Sequence, residues 1–394
     1  MVIFMRALHT SDWHIGRVFH EYQTLDALAT VLDAVASLVA KRHIDVVLVA
    51  GDVYDVANPS AEAVKVFQQA TLGILQAGAQ VVMTSGNHDS APRLGVIGAF
   101  SAASGLHVLT EVSQVGTPVE LFDQHGPVDI FAVPYLQPAL VRHLDWMPTG
   151  ASSQREVVGA AMGQVRAAIN QRRSTGRRSV VLAHTFAAGS PDEPFAERRI
   201  TKPTAGGVDA VPVELFADID YVALGHIHTR VQLTPTVRYC GAALHYSFKE
   251  AGAPRGGWVV DLDETGLANV EWVDFPVPRP LAQISGTLAH LLSDPGLDDL
   301  SDHFIRAVYT DPTRQIEPMR QLKARFPWCA EVVHQPVGQM LDNQASFRSR
   351  LENQTDRGVV ASFLDYVRGD GLSADEAPLI DDVIAATQAE RVAK

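Results

Sequence analysis

Side chains that bind metal ions occur in five short clusters of this sequence, and each cluster directly follows an apolar run. Carboxylate and amide oxygens together with imidazole nitrogens, without a thiolate, suit manganese or iron better than zinc alone. Any one such residue is more often an ordinary core or turn residue, but five clusters at corresponding places predict a metal centre. The residues are Asp12, His14, Asp52, Asn87, His88, His184, His226 and His228.

Spacing within two of the clusters supports a shared centre. Asp12 and His14 are separated by one residue, and so are His226 and His228. In extended backbone, residues i and i+2 point to the same side, so each pair can reach one point. The whole set exceeds what one ion needs, and it predicts two ions about 3.5–4 Å apart with a carboxylate shared between them.

The apolar runs before the clusters predict buried β-strands, with helices between the first three of them. Residues 25–39 have apolar side chains at helical spacing, and a second helix after Ser60 is predicted to bury Val64, Phe67 and Leu72. Continuous apolar strands joined by helices are typical of a mostly parallel sheet covered on both faces. Such sheets carry their chemistry beyond the carboxyl ends of the strands, where all the clusters fall. The predicted strands are residues 3–8, 44–49, 80–83, 179–183 and 221–224.

The remainder of the chain predicts three domains. Three further strands, at residues 237–240, 257–262 and 268–275, are predicted to run antiparallel and to close a first domain of residues 1–275. Prolines at alternate positions from 276 to 280 favour an extended linker. Residues 281–340 then predict a small α+β domain, and residues 341–394 a polar segment followed by two helices. A capping box at Ser373 and Glu376 predicts the start of the last helix.

The net charge of −13 counts against a free-standing nucleic-acid binder, which usually has a basic footprint. It leaves room for a nucleic-acid enzyme, because metal ions supply local positive charge and a partner can hold the polyanion. One basic cluster consists of Arg172, Arg173, Arg177 and Arg178. Contact with DNA phosphates and a solvated loop are both open interpretations of that cluster.

Composition also bears on location. The chain has two cysteines, Cys240 and Cys329, which argues against a disulfide framework and fits a reducing cytosol. Each is expected to be a small buried residue. No apolar stretch is long enough to cross a membrane, and the first residues lack the apolar core and cleavage site of a secretory signal. We therefore expect a cytoplasmic protein without a membrane segment.

Taken together, the clusters resemble the motifs of the calcineurin-like metallophosphoesterase superfamily: Asp12-x-His14, Gly51-Asp52-x-x-Asp55, Gly86-Asn87-His88-Asp89, His184 and Gly225-His226-x-His228. Within it, residues 11–16, 239–241 and 247–250 are similar to the SbcD subfamily of nuclease subunits, which act with the ATPase SbcC. The resemblance implies an α/β fold, a sandwich of mixed β-sheets flanked by helices. A small α+β capping domain and C-terminal helices complete that layout.

Residue roles follow from the same resemblance. It implies one manganese ion held by Asp12, His14, Asp52 and His228. It implies a second held by Asp52, Asn87, His184 and His226, with Asp52 as the bridge. Magnesium or iron(II) would be the substitutes for manganese.

His88 matches the catalytic histidine of the superfamily and is not one of the implied ligands. Asp89 has two open interpretations, since it can orient His88 or cap the following turn. Asp55 stands where archaeal and eukaryotic relatives carry a second active-site histidine, so its role is undefined. Ala242 and Ala243 replace an expected Ser-Pro pair, which leaves the local backbone undefined.

The function implied is that of a manganese-dependent DNA nuclease working with an SbcC-type ATPase in DNA repair, recombination and replication. It would act as a double-strand exonuclease and as a single-strand or hairpin endonuclease. The C-terminal helices would dock on the ATPase, although packing on their own domain is the simpler alternative. By analogy we also expect a homodimer.

Two other functions are weighed against the nuclease. The metal motifs alone do not exclude a stand-alone phosphomonoesterase or cyclic-nucleotide phosphodiesterase. The roughly 115 residues after the proline-rich linker favour the nuclease, because a small-molecule phosphatase would not need them. A catalytically silent scaffold is disfavoured by the complete ligand set.

Overall fold

The computed structural model describes residues 5–172, 176–188, 210–336, 354–368 and 370–392. The chain divides into two compact units, Met1–Pro280 and Leu281–Lys394. None of the helices within the described ranges is both long and apolar enough to cross a membrane.

Strands and helices alternate along the first unit. Its strands are β1 (Met5–Thr10), β2 (Val18–Phe19), β3 (Tyr22–Gln23), β4 (Val46–Ala50), β5 (Gln80–Thr84), β6 (Leu106–Leu109), β7 (Val119–Asp123), β8 (Gly126–Val133), β9 (Arg178–His184), β10 (Ala187–Ala188), β11 (Val211–Pro212), β12 (Tyr221–Gly225), β13 (Val231–Gln232), β14 (Val237–Tyr239), β15 (Gly256–Asp263) and β16 (Gly266–Asp274). Its helices are α1 (Leu25–Arg42), α2 (Ala61–Gln76), α3 (Ala91–Ser101), α4 (Pro138–Val141) and α5 (Gln154–Arg172).

Twelve of these strands form two six-stranded sheets, with the orders β16-β15-β1-β4-β5-β6 and β13-β14-β12-β9-β8-β7. In the first sheet β1, β4, β5 and β6 are parallel, and β15 pairs antiparallel with both β1 and β16. In the second sheet β8, β9, β12 and β14 are parallel, with antiparallel β7 and β13 at the edges. The predicted class, a sandwich of mixed sheets flanked by helices, is confirmed. Of the three strands predicted to be antiparallel, β15 and β16 pair with each other in that way. β14 instead lies in the second sheet, where it runs parallel to β12 and antiparallel to the two-residue strand β13.

Side-chain alternation explains why the central strands are apolar without interruption. In β4, Val46 and Leu48 face the second sheet, whereas Val47 and Val49 face the helices on the outer side. The second sheet shows the same alternation. Val180 and Leu182 of β9 lie in the inner core between the sheets, and Val181 lies in the outer core beneath the helices. Both faces of each sheet are therefore buried, which requires apolar residues at every position.

Helices cover the two outer faces. α1 buries Leu28, Val35 and Val39 against the first sheet, together with residues of α2. α2 begins at its N-cap Ser60, whose side chain accepts a hydrogen bond from the Ala63 amide. α5 covers the second sheet with Val158, Met162 and Val165, among others.

The predicted inner face of α2 is only partly right. Phe67 is buried, but Val64 and Leu72 are 37% and 54% exposed. The buried residues recur at positions 63, 67, 70 and 74, which is a different stripe of the same helix. Helical spacing alone does not separate two neighbouring stripes when both contain apolar residues.

The basic cluster at the end of α5 makes contacts within the protein. Arg172 Nε lies 3.0 Å from Asp129 Oδ2, and Arg177 Nη1 lies 2.6 Å from Asp129 Oδ1. Arg178 is almost fully buried and donates to Asp123 Oδ2 at 2.8 Å. These three arginines tie β9 and α5 to β7 and β8, so the solvated-loop interpretation is wrong for them, whereas contact with DNA phosphates stays a prediction. Arg173 lies outside the described residues.

The second unit contains a three-stranded parallel sheet of β17 (Leu281–Gly286), β18 (Phe304–Tyr309) and β19 (Cys329–His334). Its helices are α6 (Leu288–Ser293), α7 (Pro318–Arg325), α8 (Asp356–Arg368) and α9 (Ala377–Val392). Ile305, Leu322 and Phe326 lie in its core. The predicted polar segment of residues 341–354 falls almost wholly outside the described residues.

Two smaller predictions are confirmed by contacts. The capping box before α9 is present: Ser373 Oγ donates to Glu376 Oε2 at 2.8 Å, and the Glu376 amide donates to Ser373 Oγ at 3.3 Å. Cys240 and Cys329 are both buried.

Polar contacts cross the inner core between the two sheets. His9 of β1 is fully buried, with Nδ1 2.9 Å from the Tyr221 hydroxyl and Nε2 3.1 Å from the Leu224 carbonyl, both on β12. The sheets also approach closely at Gly225, where an added Cβ would lie 1.8 Å from the Ala50 carbonyl oxygen. The relative position of β4 and β12 is therefore fixed by backbone contact.

We predict that Gly225→Ala lowers the free energy of unfolding by at least about 2 kcal/mol, because the new methyl group overlaps the β4 backbone. Gly163→Ala is the matched control. Gly163 lies exposed within α5, and a Cβ there meets no atom within 4 Å. Alanine should therefore stabilise that helix by about 0.5–1 kcal/mol. Urea denaturation measures both, and equal effects of the two substitutions would contradict the close approach of the sheets.

We also predict a pH effect from His9. Burial lowers its pKa to about 3, against 6.5 for an exposed histidine, although a hydrogen bond with the Leu224 carbonyl partly offsets the shift. Between these values the unfolded state binds one proton more than the folded state, so stability falls as the pH falls. His9 should contribute a loss of about 1.4 kcal/mol per pH unit below about pH 5.5. Urea denaturation across this range should give a shallower pH slope for His9→Gln than for wild type, and parallel slopes would contradict a neutral His9.

Candidate metal centre

The predicted site residues come together at the carboxyl ends of strands from both sheets. In the first sheet Asp12 and His14 follow β1, Asp52 follows β4, and Asn87 and His88 follow β5. In the second sheet His184 ends β9, and His226 and His228 follow β12. Because the parallel strands of the two sheets end on the same side, both sheets supply side chains to one place.

Unusual backbone conformations mark this place. Eight non-glycine residues have positive φ in the described part of the chain, and four of them belong to the predicted site. These conformations cost about 1–3 kcal/mol each, and they persist where the surrounding structure enforces them. The four residues are Asp12 (φ 51°), His14 (φ 46°), Asp52 (φ 47°) and His226 (φ 102°).

Glycines next to the ligand positions allow side chains to approach closely. A Cβ on Gly86 would lie 2.0 Å from Asp52 Oδ1, and one on Gly51 would lie 2.3 Å from His184 Nδ1. The Gly-Asp and Gly-Asn pairs in the sequence thus have a steric cause. The first residue of each pair leaves room for a site side chain of another loop.

One group of candidate ligands consists of Asp12, His14 and His228, whose ligand atoms all lie within 4.8 Å of one another. The Nε2 atoms of His14 and His228 are 3.0 Å apart and face each other. Two imidazole nitrogens that face each other at this distance are arranged as two ligands of one cation are. Asp12 is fully buried, and its Oδ1 accepts the His226 amide at 3.0 Å while its Oδ2 accepts the Ser11 hydroxyl at 2.5 Å.

A second group consists of Asp12, Asp52 and His184, and Asn87 adjoins it. Asn87 Oδ1 lies 3.1 Å from His184 Nε2 and 2.9 Å from His226 Nδ1. Asp52 Oδ2 lies 3.3 Å from His184 Nε2 and 3.6 Å from His14 Nε2. The Asp52 carboxylate therefore stands between the two groups, at the position expected of a bridging ligand.

The electrostatics of the centre fit bound cations. Asp12 and Asp52 are buried carboxylates of one group, an arrangement that needs compensating positive charge. Burial favours a lower pKa for His184, but the Asp52 carboxylate outweighs it and raises the pKa to about 9. The pKa of Asp52 is held below its usual value, because His184 and His14 outweigh the effect of burial.

The imidazoles of His226 and His14 are poor proton acceptors. Burial, together with the charge of His184, lowers the pKa of His226 to about 4. Burial also lowers the pKa of His14. Neutral imidazoles beside buried carboxylates form a donor set that suits divalent manganese or iron, so the residues present fit two cations.

His88 differs from the candidate ligands in exposure and contacts. Its side chain is 37% exposed, and its ring lies edge-on to His14 with centroids 4.7 Å apart. Nδ1 lies 2.8 Å from the Asp55 carbonyl oxygen, which makes Nδ1 the donor and leaves Nε2 for other contacts. The His88 amide also donates to Asp52 Oδ1 at 2.9 Å. His88 nevertheless also falls in a third group, with His14 and Asp55, whose possible ligand atoms lie within 4.8 Å of one another.

Asp89 does not orient the His88 ring. Its carboxylate accepts the amides of Val53, Tyr54 and Gly86 at 2.8–3.0 Å, and burial raises its pKa to about 6. It therefore joins the loop after β4 to the loop after β5. This differs from both interpretations of the sequence, since Asp89 binds two amides of another loop and the amide of the preceding Gly86 rather than capping the following turn.

Several residues around the centre were not singled out from the sequence. Glu250 Oε1 lies 3.8 Å from His228 Nδ1, and Arg255 donates to the His228 carbonyl at 2.5 Å. The half-buried Tyr135 packs its ring near His184 and His226, at centroid distances of 6.3 and 6.4 Å. Tyr246 lies edge-on to His14. Glu250 belongs to the sequence run 247–250, whereas no pattern in the sequence marks Tyr135.

The replacement of Ser-Pro by Ala242 and Ala243 leaves the backbone ordered around the site. Both alanines are buried in the outer core of the first sheet, and Ala242 forms a parallel bridge with Ser11. Their small side chains pack among the other residues of that core.

Comparison with known proteins identifies the family of this region. The sequence model of the calcineurin-like phosphoesterase family matches residues 5–230, which contain every predicted site residue. Among solved structures, a dimetal phosphatase from Danio rerio is similar at 13% identity, with 70% of this chain and 100% of that chain covered and a TM-score of 0.42.

Two further structures are similar at the same level. The TT1561 protein of Thermus thermophilus has 12% identity, covers 69% of this chain and 99% of its own, and has a TM-score of 0.40. A purple acid phosphatase from yellow lupin (Lupinus luteus) seeds has 13% identity, covers 68% of this chain and 51% of its own, and has a TM-score of 0.36. These distant likenesses add nothing to the family match.

We predict that the ion-free protein takes up two Mn²⁺ per chain and that His184→Ala takes up one. The substitution removes the imidazole beside Asp52 and Asn87 while leaving the group of Asp12, His14 and His228 intact. Elemental analysis after equilibrium dialysis measures the content. His107→Ala is the control, because His107 contacts Gln80 on the strands β5 and β6, away from these loops. Equal manganese content in wild type and His184→Ala would contradict the assignment.

Proposed function

This chain belongs to the calcineurin-like phosphoesterase family, and on that premise we propose that it is a manganese-dependent DNA nuclease of the SbcD type. Its coarser activity, hydrolysis of a phosphoester, follows from the family match. The observation that carries the proposal is the position of the Asp52 carboxylate, within 3.6 Å of imidazoles from both sheets. That position suits a bridge between two cations.

The centre would hold one cation with Asp12, His14, Asp52 and His228 and the other with Asp52, Asn87, His184 and His226. Two divalent cations bound there would acidify a water molecule and offset negative charge on the phosphoryl oxygens. Asp12 and Asp52 together carry two negative charges against the four positive charges of two such ions. The centre would thus attract a phosphodiester although the whole chain has a net charge of −13.

His88 is the residue that would move a proton. Because Nδ1 donates to the Asp55 carbonyl, Nε2 of the protonated ring can donate to the departing oxygen. The oxygen of water forms a bond to phosphorus and gives up a proton to solvent, while the bond from phosphorus to the sugar oxygen breaks. That oxygen takes the proton from His88, which solvent then protonates again. Tyr135 flanks the imidazoles of the second cation position, His184 and His226.

Two features support DNA as the substrate over a small phosphoester. The sequence runs 11–16, 239–241 and 247–250 are similar to those of the SbcD subfamily. The chain also continues beyond the phosphoesterase region into a second folded unit, Leu281–Lys394. A phosphatase for small molecules would not need that unit.

The second unit also offers a surface for an SbcC-type ATPase. Phe363 of α8 is 51% exposed, and Leu379 and Val383 of α9 are 65% and 61% exposed. Arg357 of α8 pairs with Asp381 of α9 at 3.1 Å, so the two helices contact each other. Exposed apolar side chains on two adjoining helices suit docking on the coiled coil of a partner. The homodimer and the cytoplasmic location stay predictions from the resemblance and the cysteine content.

We predict that the protein with Mn²⁺ cleaves a blunt DNA duplex and a DNA hairpin, and that an SbcC-type ATPase increases duplex cleavage. The matched substrates are a chromogenic phosphodiester and a chromogenic phosphomonoester. Gel electrophoresis of end-labelled DNA and absorbance measure the rates. Turnover restricted to phosphomonoesters or to cyclic nucleotides would contradict the nuclease and favour the stand-alone phosphatase or phosphodiesterase.

We predict that His88→Ala keeps both manganese ions and loses hydrolysis by about 10²–10⁴-fold, the usual size of a general-acid contribution. Elemental analysis and the cleavage rate are measured on the same sample. His290→Ala is the control, since His290 lies 57% exposed on α6 of the second unit. Loss of an ion in His88→Ala would instead make His88 a ligand.

A further inference from the structure

The loop after β4 carries a carboxylate, Asp55, that the cation assignment leaves without a role. Its side chain is 21% exposed, and the chain brings it against His14 and Arg17 of the loop after β1. The contacts of Asp55 involve two different oxygens, one on the side chain and one on the main chain. Each oxygen meets a different imidazole of the centre.

The side-chain oxygen contacts the candidate ligand His14. Asp55 Oδ1 lies 3.1 Å from His14 Nδ1, so this nitrogen carries the proton and donates it. A neutral imidazole has a single N–H, and the other nitrogen then presents a lone pair. In His14 that nitrogen is Nε2, which lies 3.0 Å from His228 Nε2 and 3.6 Å from Asp52 Oδ2. The Asp55 carboxylate thus fixes the tautomer and the orientation that a cation at this point requires.

The main-chain oxygen contacts the catalytic candidate His88. Asp55 O lies 2.8 Å from His88 Nδ1, whereas Asp55 Oδ1 lies 3.8 Å from the same nitrogen. The longer distance is outside the range of a hydrogen bond. The orientation of His88 therefore depends on the backbone at position 55 and not on the carboxylate.

Backbone contacts hold this loop independently of the Asp55 side chain. The Asp55 amide donates to the Ile15 carbonyl at 3.2 Å, and Ile15 also forms a parallel bridge with Tyr54. Asp89 binds the amides of Val53 and Tyr54. A substitution of the side chain should leave the carbonyl in place, so the two contacts can be separated by experiment.

The Asp55 carboxylate also offsets the positive charge of Arg17, which lies next to His14. Its Nη1 lies 3.0 Å from Asp55 Oδ1 and 3.5 Å from His14 Nδ1, and its guanidinium lies 4.8 Å from the centre of the Tyr246 ring. Without the carboxylate, a fixed positive charge would stand directly beside a cation ligand. The pair of Asp55 and Arg17 therefore acts as one unit toward His14.

We propose that Asp55 is a positioning residue of the cation site formed by Asp12, His14 and His228, where it acts through the imidazole of His14. Its carbonyl separately orients His88. This inference rests on the proposed two-cation centre and is independent of DNA as the substrate. It also assigns a role to the position at which this sequence departs from relatives that carry a histidine.

The test is a titration of the full-length, ion-free protein with Mn²⁺ by isothermal calorimetry. The variants are Asp55→Ala, Asp55→Asn, Arg17→Ala and the double variant Asp55→Ala/Arg17→Ala. For wild type we expect two ions. For Asp55→Ala we expect the dissociation constant of one ion to rise about 10–100-fold, as for other residues that orient a ligand. The constant of the other ion should stay within about twofold.

The variants Asp55→Asn and Asp55→Ala/Arg17→Ala test why the Asp55 carboxylate affects cation binding. Asp55→Asn keeps an oxygen that can accept from His14 Nδ1, so it should lose less affinity than Asp55→Ala. Removal of Arg17 in the Asp55→Ala background should recover part of the affinity, because the unpaired positive charge is gone. Asp45→Ala is the matched control, since the exposed Asp45 accepts the Arg6 amide at the amino ends of β1 and β4.

Activity at saturating Mn²⁺ separates the two oxygens of Asp55. Asp55→Ala should then lose less than about tenfold in kcat, against the 10²–10⁴-fold loss expected of His88→Ala. An Asp55→Ala loss as large as that of His88→Ala at saturating Mn²⁺ would overturn the inference, because the carboxylate would then act on His88.

The remaining outcomes also decide between the alternatives. Unchanged binding of both ions in Asp55→Ala would show that the carboxylate has no role in cation binding. An equal weakening of both ions together with a lower melting temperature would show that its role is merely structural. If Asp55→Ala does not fold, the comparison of Asp55→Asn with Asp45→Ala decides in the same way. Failure of the wild-type protein to bind two ions would instead refute the two-cation centre, and a protein that binds two ions but cleaves no DNA would refute only the nuclease.

Discussion

The site depends on how closely two β-sheets approach at the carboxyl ends of their strands. The first sheet supplies Asp52 and the second supplies His184, and the 3.3 Å contact between Asp52 Oδ2 and His184 Nε2 joins them. That contact exists because Gly51, Gly86 and Gly225 have no side chains to separate the sheets there. A displacement by the width of one methyl group would divide the centre into two incomplete halves.

The rest of the first unit keeps the two sheets in this position. The inner core of aliphatic side chains resists sliding because it is close-packed, and His9 adds directional contacts from β1 to β12. Further contacts lie within the site itself, where His184 Nδ1 is 2.9 Å from the Ala50 carbonyl and the His226 amide donates to Asp12. The strained backbone at Asp12 and Asp52 is stabilised by the same packing.

The residues of the site could be predicted from the sequence because their signal is local. A polar pair such as Asp12 and His14 directly after an apolar run can be recognised in the sequence without knowing which strands pair with that run. The division of the strands between two sheets could not be predicted in this way, because it depends on pairing between strands that are far apart in the chain. β15, for example, pairs with β1 across about 250 residues. Val64 and Leu72 were misplaced because helical spacing fits more than one stripe. The contacts of Arg172, Arg177 and Asp89 are likewise tertiary, since each side chain binds a group on a distant loop or strand.

The central claim is that Asp52 joins cation positions contributed by both sheets, and electron paramagnetic resonance of the Mn²⁺-loaded protein tests it most directly. Two ions that share one carboxylate at a separation of about 3.5–4 Å should give the spectrum of an exchange-coupled pair. Asp52→Asn should weaken or abolish that coupling. Six-line spectra of isolated Mn²⁺ in the fully loaded wild-type protein, with no coupled signal, would contradict the account.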